Sequence, residues 1–172
     1  RLDVAVNNAA TSPDSRPIAE MEESEFDRAV GVNLKGVALC PKYEISQMLR
    51  QGGGGSIVNI GSTNSFRPQP HTALYTAAKH GVIGLSKAAA LENGIHGIRV
   101  NTVAPGAIDT PMLRSSMETH ALTEEAFAPV LSLFNRFGKP EEVAQASLWL
   151  ASDLASYVTG AVLSVDAGYV SR

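Results

Sequence analysis

The sequence predicts an α/β protein in three layers: a mainly parallel sheet covered by helices on both faces. Two observations carry this. Short apolar runs at residues 2–6, 56–60, 98–103 and 161–165 alternate with helical stretches. The helices between the runs are expected to span 10–20 residues, long enough to carry the chain from one parallel strand to the next. Strand and helix in alternation make βαβ units, whose crossovers are right-handed.

Each element has a local reason. Residues 2–6 read as a short buried strand ending at Asn7-Asn8-Ala9-Ala10. Two prolines, two serines and an aspartate make 11–17 a loop. Ser24 is the expected start of helix. Phe26, Ala29, Val30, Val32 and Leu34 then supply apolar residues, and a long helix is expected over 31–49, where Ile45, Met48 and Leu49 continue the stripe. Residues 51–55 hold four consecutive glycines, a flexible turn, and 56–60 is the next strand. Pro68 and Pro70 make 64–72 a loop that delivers Tyr75 into a helix running to Asn93. Gly94 suits the left-handed residue after a helix end. Residues 98–103 form a strand closed by Ala104-Pro105-Gly106. Residues 110–134 contain two helix-compatible segments. Pro140-Glu141-Glu142 opens a helix to Ala151, with proline in the first turn and acids at the positive end of the dipole. Residues 161–165 are the last strand. No linker divides the chain, so 1–172 is expected to be a single domain.

Composition narrows the function classes. Hydrophobic residues make up 44% of the chain, enough to fill a core. Net charge is −3 and no basic cluster is present, which argues against nucleic-acid and membrane-surface partners. No apolar run approaches the ~18 residues of a membrane span. The single Cys40 has no internal disulfide partner, which favours a reducing, cytoplasmic setting. Its expected role is that of a small buried apolar residue. Asp109, His71, His80, His96 and His120 show no metal-ligand spacing, so no metal is expected and the histidines are read as surface or loop residues.

The chemistry concentrates at Tyr75-Thr76-Ala77-Ala78-Lys79, with Ser62 thirteen residues before the tyrosine. Residues four apart on a helix share one face. An ammonium beside a phenol favours the phenolate, lowering a tyrosine pKa from about 10 toward the working range. Such a tyrosine is a usable general acid/base. Ser62, at the end of a strand-like run, is placed to hold the substrate oxygen that the tyrosine protonates.

These residues, with Asn7-Asn8-Ala9-Ala10, Asn33, Pro105-Gly106 followed by Thr110, the run from Arg136 to Ala144 and Val165-Asp166-Ala167-Gly168, resemble the short-chain dehydrogenase/reductase family along the whole chain. The resemblance implies a Rossmann-like fold of the single-domain type and hydride transfer between NAD or NADP and a carbonyl or alcohol carbon of a small molecule. It implies catalytic roles for Asn33, Ser62, Tyr75 and Lys79: Ser62 orients substrate, Tyr75 passes the proton, and Lys79 lowers the Tyr75 pKa and binds the nicotinamide ribose. Asn33 either holds a relay water behind Lys79 or serves packing. Asn7 and Ala9 either approach the adenosine through backbone or form a plain strand-to-loop transition. Pro105, Gly106, Ile108 and Thr110 are implied to face the cofactor, Thr110 also being a good helix cap. The segment from Met112 to Phe134 matches the variable substrate lid.

The chain departs from the family pattern at Ala10 and Ala167, where glycine is usual, and at Gly61, where serine is commoner and glycine is expected to be harmless. Ala10 would be strained if its φ were positive. No G-x-x-x-G-x-G follows a strand here, so the N-terminal strands that carry the pyrophosphate turn are expected to be missing from this sequence. The resemblance also implies a homodimer or homotetramer when complete. A rival expectation follows: a non-catalytic fragment or interaction module that cannot bind the dinucleotide alone.

Overall fold

The computed structural model describes residues 1–12 and 14–172. Pro13, inside the loop expected over 11–17, lies outside the described residues. Strands β1 (Val4–Asn7), β2 (Gly55–Ile60), β3 (Ile98–Pro105) and β4 (Val162–Val165) form one parallel sheet in that order. The connections are helical. Helices α1 (Glu23–Val30) and α2 (Val37–Gln51) join β1 to β2, and α3 (Ala73–Asn93) joins β2 to β3. Helices α4 (Pro111–Thr119), α5 (Glu124–Leu131) and α6 (Pro140–Ala151) lead to β4.

The period of two along each strand splits the core into two layers. Ile57, Ile98 and Val100 pack with Met48 of α2 and with Ala89 and Ala90 of α3. Val58 and Val103 pack on the other face with Leu150 of α6 and Ala155. A satellite cluster of Met117, Ala128 and Phe137 joins α4 and α5 to the segment before α6. Long-range contacts close the chain. Arg67 donates to the carbonyls of Tyr169 and Arg172, at 2.9 and 3.0 Å, and stacks over the Tyr169 ring.

Several sequence expectations are corrected. Strand β1 is not buried: Val4 and Val6 are 44% and 47% exposed, because β2 pairs with it on one side only. Helix begins at Glu23, one residue before the expected Ser24, with Glu23 and Glu25 in the favourable first turn. It continues into α2 through a π-helical turn at Gly31–Gly36, which the 3.6-residue periodicity does not reveal. Cys40 is exposed, on the outer side of α2. Gly94 is right-handed, with φ −58° and ψ −37°, because α3 tightens into a 3₁₀ turn at Gly94–His96; the left-handed residue is Gly97 at φ 72°. Strand β3 runs on through Pro105, since β4 pairs with its second half and Pro105 still stands opposite Val165.

The glycine run is a fixed turn. Gly52, Gly53 and Gly54 all have positive φ, and a Cβ on Gly54 would stand 2.5 Å from the Gly97 carbonyl oxygen. Ala10 does not take a positive φ and carries no such strain, whereas Ala167 does, at 47°. No helix among the described residues is long and apolar enough to cross a membrane.

Candidate active site

The C-terminal ends of β1, β2 and β3 lie side by side, and the crevice beyond such ends is where open parallel sheets bind ligands. Ser62 leaves β2 in extended backbone (φ −164°, ψ 154°) and its Oγ accepts from the Asn64 amide at 3.1 Å, capping a 3₁₀ turn at Thr63–Ser65. Tyr75 and Lys79 follow in the first two turns of α3. Lys79 is 1% exposed; its Nζ donates to the Ile60 carbonyl at 2.8 Å and lies 5.6 Å from the Tyr75 ring centre. The carbonyl is that of the last residue of β2, so one hydrogen bond ties the helix to the strand that delivers Ser62.

The electrostatics run against the sequence expectation. Burial pushes the half-buried Tyr75 phenol above its ordinary value, and the neighbouring Ser62 hydroxyl offsets only part of this. Burial also lowers Lys79 to about 8. Desolvation disfavours every charged form, and it is the largest cause at both groups.

Asn33 sits in the π-helical turn, fully buried. Its Oδ1 accepts from the Thr11 amide at 3.0 Å, while its Nδ2 has no hydrogen-bond partner among the described residues. Single-turn π segments recur at functional sites. Gly81 lets this one approach α3 two residues past Lys79: a Cβ at Gly81 would stand 2.8 Å from a Leu34 methyl.

On the neighbouring strand end, Asn7 turns its side chain inward. Its Nδ2 donates to Asn59 Oδ1 at 2.8 Å and to Glu44 Oε2 at 3.1 Å. Asn59 in turn donates to Ser86 Oγ at 2.9 Å, and Ser86 to the Val82 carbonyl at 2.7 Å. This chain links α2, β1, β2 and α3. Burial holds the Glu44 carboxyl above its ordinary range, opposed by the Asn7 hydrogen bond. The sequence reading missed Glu44, Asn59 and Ser86. The available signal was a polar residue inside each of two apolar stretches. Ala9 is exposed just past Asn7.

Pro105 ends β3, and Gly106, Ile108 and Thr110 lie in the loop that follows it. Gly106 is required by packing, as a Cβ there would lie 2.9 Å from the Asp166 Cα. Ile108 pairs with Gly138, fastening this loop to the start of α6. Thr110 caps α4, its Oγ accepting from the Leu113 amide at 3.4 Å and donating to the Ile108 carbonyl at 3.2 Å. Gly61 leaves room that Thr102 fills, since a Cβ would stand 2.9 Å from its methyl. Among the described residues, no group of three His, Cys, Asp or Glu is placed to hold a metal.

The arrangement sets a protonated phenol, a buried ammonium and a hydroxyl at one strand end, which suits proton exchange with an oxygen of a bound molecule. A family model described as enoyl-(acyl carrier protein) reductase matches residues 1–170. The short chain dehydrogenase/reductase astE of Aspergillus oryzae is 58% identical over 168 residues, covering 98% of this chain and 64% of that protein. The crystal structure of levodione reductase superposes with a TM-score of 0.94 at 37% identity, covering 100% of this chain and 68% of that one. A structure of ElxO with NADP bound matches at a TM-score of 0.92 and 35% identity, again over 100% and 68%. The chain thus spans about two thirds of the length of each of these relatives.

Proposed function

The chain belongs to the short-chain dehydrogenase/reductase family, and from that premise we propose that it serves an oxidoreductase moving a hydride between NAD(P)(H) and the carbonyl or alcohol carbon of a small organic substrate. The observation that carries the reading is the buried Lys79 one helical turn from Tyr75, hydrogen-bonded to the last residue of β2, two residues before Ser62.

The residues present fit the nicotinamide-ribose half of such a cofactor. Lys79 Nζ has one carbonyl acceptor for its three possible donor hydrogens, which leaves donors for ribose hydroxyls. The loop from Pro105 to Thr110 and the backbone at Asn7 and Ala9 flank it. The NADP held by ElxO supports the cofactor class. When bound, the nicotinamide supplies or accepts the hydride.

The chain's own side chains manage the proton and the oxygen. The raised pKa keeps the Tyr75 phenol protonated at neutral pH, the form that donates to a carbonyl oxygen. Ser62 steadies that oxygen by a hydrogen bond. Lys79, when protonated, stabilises the phenolate left behind. Asn33, with its spare Nδ2 hydrogens, orders the polar interior beside α3. The segment with α4 and α5 covers the site as the substrate lid. The complete protein assembles as a homodimer or homotetramer, for which α2 and α3 offer exposed apolar side chains such as Tyr43 and Leu91. The lone, exposed Cys40 supports a reducing cytoplasmic setting.

The test is Tyr75→Phe in the complete protein. Turnover should fall by at least ~1000-fold while cofactor affinity stays within about twofold, since the ring is kept and only the proton is lost. Turnover within tenfold of the parent would refute the assignment.

The open edge of β1 favours a second reading for the 172 residues taken alone: a partner-dependent, non-catalytic piece. Equilibrium titration with NAD(H) and NADP(H) separates the two, and micromolar binding by these residues alone would dismiss this second reading.

A further inference from the structure

Helix α3 starts without a cap of its own. Thr72 occupies the N-cap position, but its hydroxyl donates to the Gln69 carbonyl at 2.8 Å and accepts from Asn64 Nδ2 at 3.2 Å, and it makes no cap hydrogen bond. The amides of the first helical turn therefore need another acceptor. They find it 60 residues upstream. Asp14 Oδ2 accepts from the Leu74 amide and Oδ1 from the Tyr75 amide, each at 3.1 Å. These are the two amides that an N-cap side chain ordinarily satisfies one at a time. A carboxylate also meets the positive end of the α3 dipole, and both hydrogen bonds are charge-assisted. Three residues earlier, the Thr11 amide is held by the buried Asn33 Oδ1. The loop after β1 is thus fastened to the π-helical turn at one point and to the main chain of Tyr75 at another.

We propose that Asp14 is a positioning residue for Tyr75: it fixes the start of α3, and so the place of the phenol, from a loop that makes no other hydrogen bond to that helix among the described residues. This rests on Tyr75 being the acid/base proposed above. The expectation follows from geometry. Tyr75 is the third residue of α3, within the turn that frays first, so a loss of both amide acceptors displaces its side chain before it disturbs the core.

The experiment compares Asp14→Ala and Asp14→Asn with the parent in the complete protein. Asp14→Ala should lower kcat by between about 10- and 100-fold, the range expected of a sub-ångström to ångström misplacement, with cofactor KM within about twofold. Asp14→Asn keeps an acceptor and should recover most of the loss. Amide hydrogen exchange at Leu74 and Tyr75, read by NMR, should speed up at least ~10-fold in Asp14→Ala while exchange in the core strands holds. A kcat within twofold of the parent in Asp14→Ala overturns the proposal. So does a loss that Asp14→Asn does not restore, or one accompanied by a general rise in exchange. Should Tyr75→Phe retain turnover, the functional reading fails instead; the exchange at Leu74 and Tyr75 then still decides whether Asp14 holds the helix start, and unchanged exchange refutes it.

Discussion

Lys79 shows how a single buried charge links site and stability. Its side chain is 1% exposed, and burial lowers its pKa from 10.5 to about 8. The folded state therefore gives up the proton more readily than the unfolded chain. Between pH about 8 and 10.5 the unfolded state binds more protons, so stability rises with pH across that window. Below it, holding the ammonium buried is a constant cost. Lys79→Met should flatten the rise, which amounts to on the order of 3 kcal/mol over the window. Urea unfolding at pH 7, 8, 9 and 10 measures it, and parallel slopes in parent and variant would contradict the assignment. Ser62, Tyr75 and Lys79 were all legible from sequence because their spacing is local and their residue types are few. The direction of the Tyr75 shift was not, because desolvation depends on how deeply the folded chain covers the phenol. Asp14 was hidden for the same reason: nothing in the spacing of Asp14 and Tyr75 marks them as neighbours.

At the level of elements, the alternation of apolar runs with helices sufficed for the parallel sheet and its layers, since parallel strands are joined by helical crossovers. Ends were less legible. Strand β3 reaches Pro105 only because β4 lies beside it, and Gly94 stays right-handed because α3 tightens before it turns. The π-helical turn went unseen because one extra residue in a helix leaves the apolar stripe almost intact. The glycine run, expected to be flexible, is held at the far end of the sheet from the site. Gly54 combines φ 78° with a carbonyl 2.5 Å from where a Cβ would stand. Neither the Gly97 backbone, just ahead of β3, nor that of the turn can yield cheaply there. Gly54→Ala should thus destabilise by about 2–3 kcal/mol, through left-handed strain plus a displaced Gly97. Gly52→Ala, with open space around it, should lose only the conformational part. Chemical denaturation of the pair distinguishes a packed turn from a loose one, and equal losses would count against the packed turn.

For the whole molecule, the exposed edge of β1 and the shared ends of β1, β2 and β3 describe a sheet whose ligand crevice is built from distant parts of the chain. Arg67, a few residues past Ser62, takes this furthest by gripping the carbonyls of Tyr169 and Arg172. Protein synthesis proceeds from the N-terminus, and domains form as segments emerge. Every proposed catalytic side chain leaves the ribosome well before residues 169–172 do. The segment after Ser62 must then wait, unclamped, for the final residues of these 172. Deleting 169–172 should reproduce that waiting state, with chymotrypsin cutting after the exposed Phe66 at least ~10-fold faster than in the parent. Equal cleavage rates would mean that the segment settles without its clamp. On this account the chemistry is encoded early and switched on late, and a growing chain carries its reactive groups without yet being a catalyst.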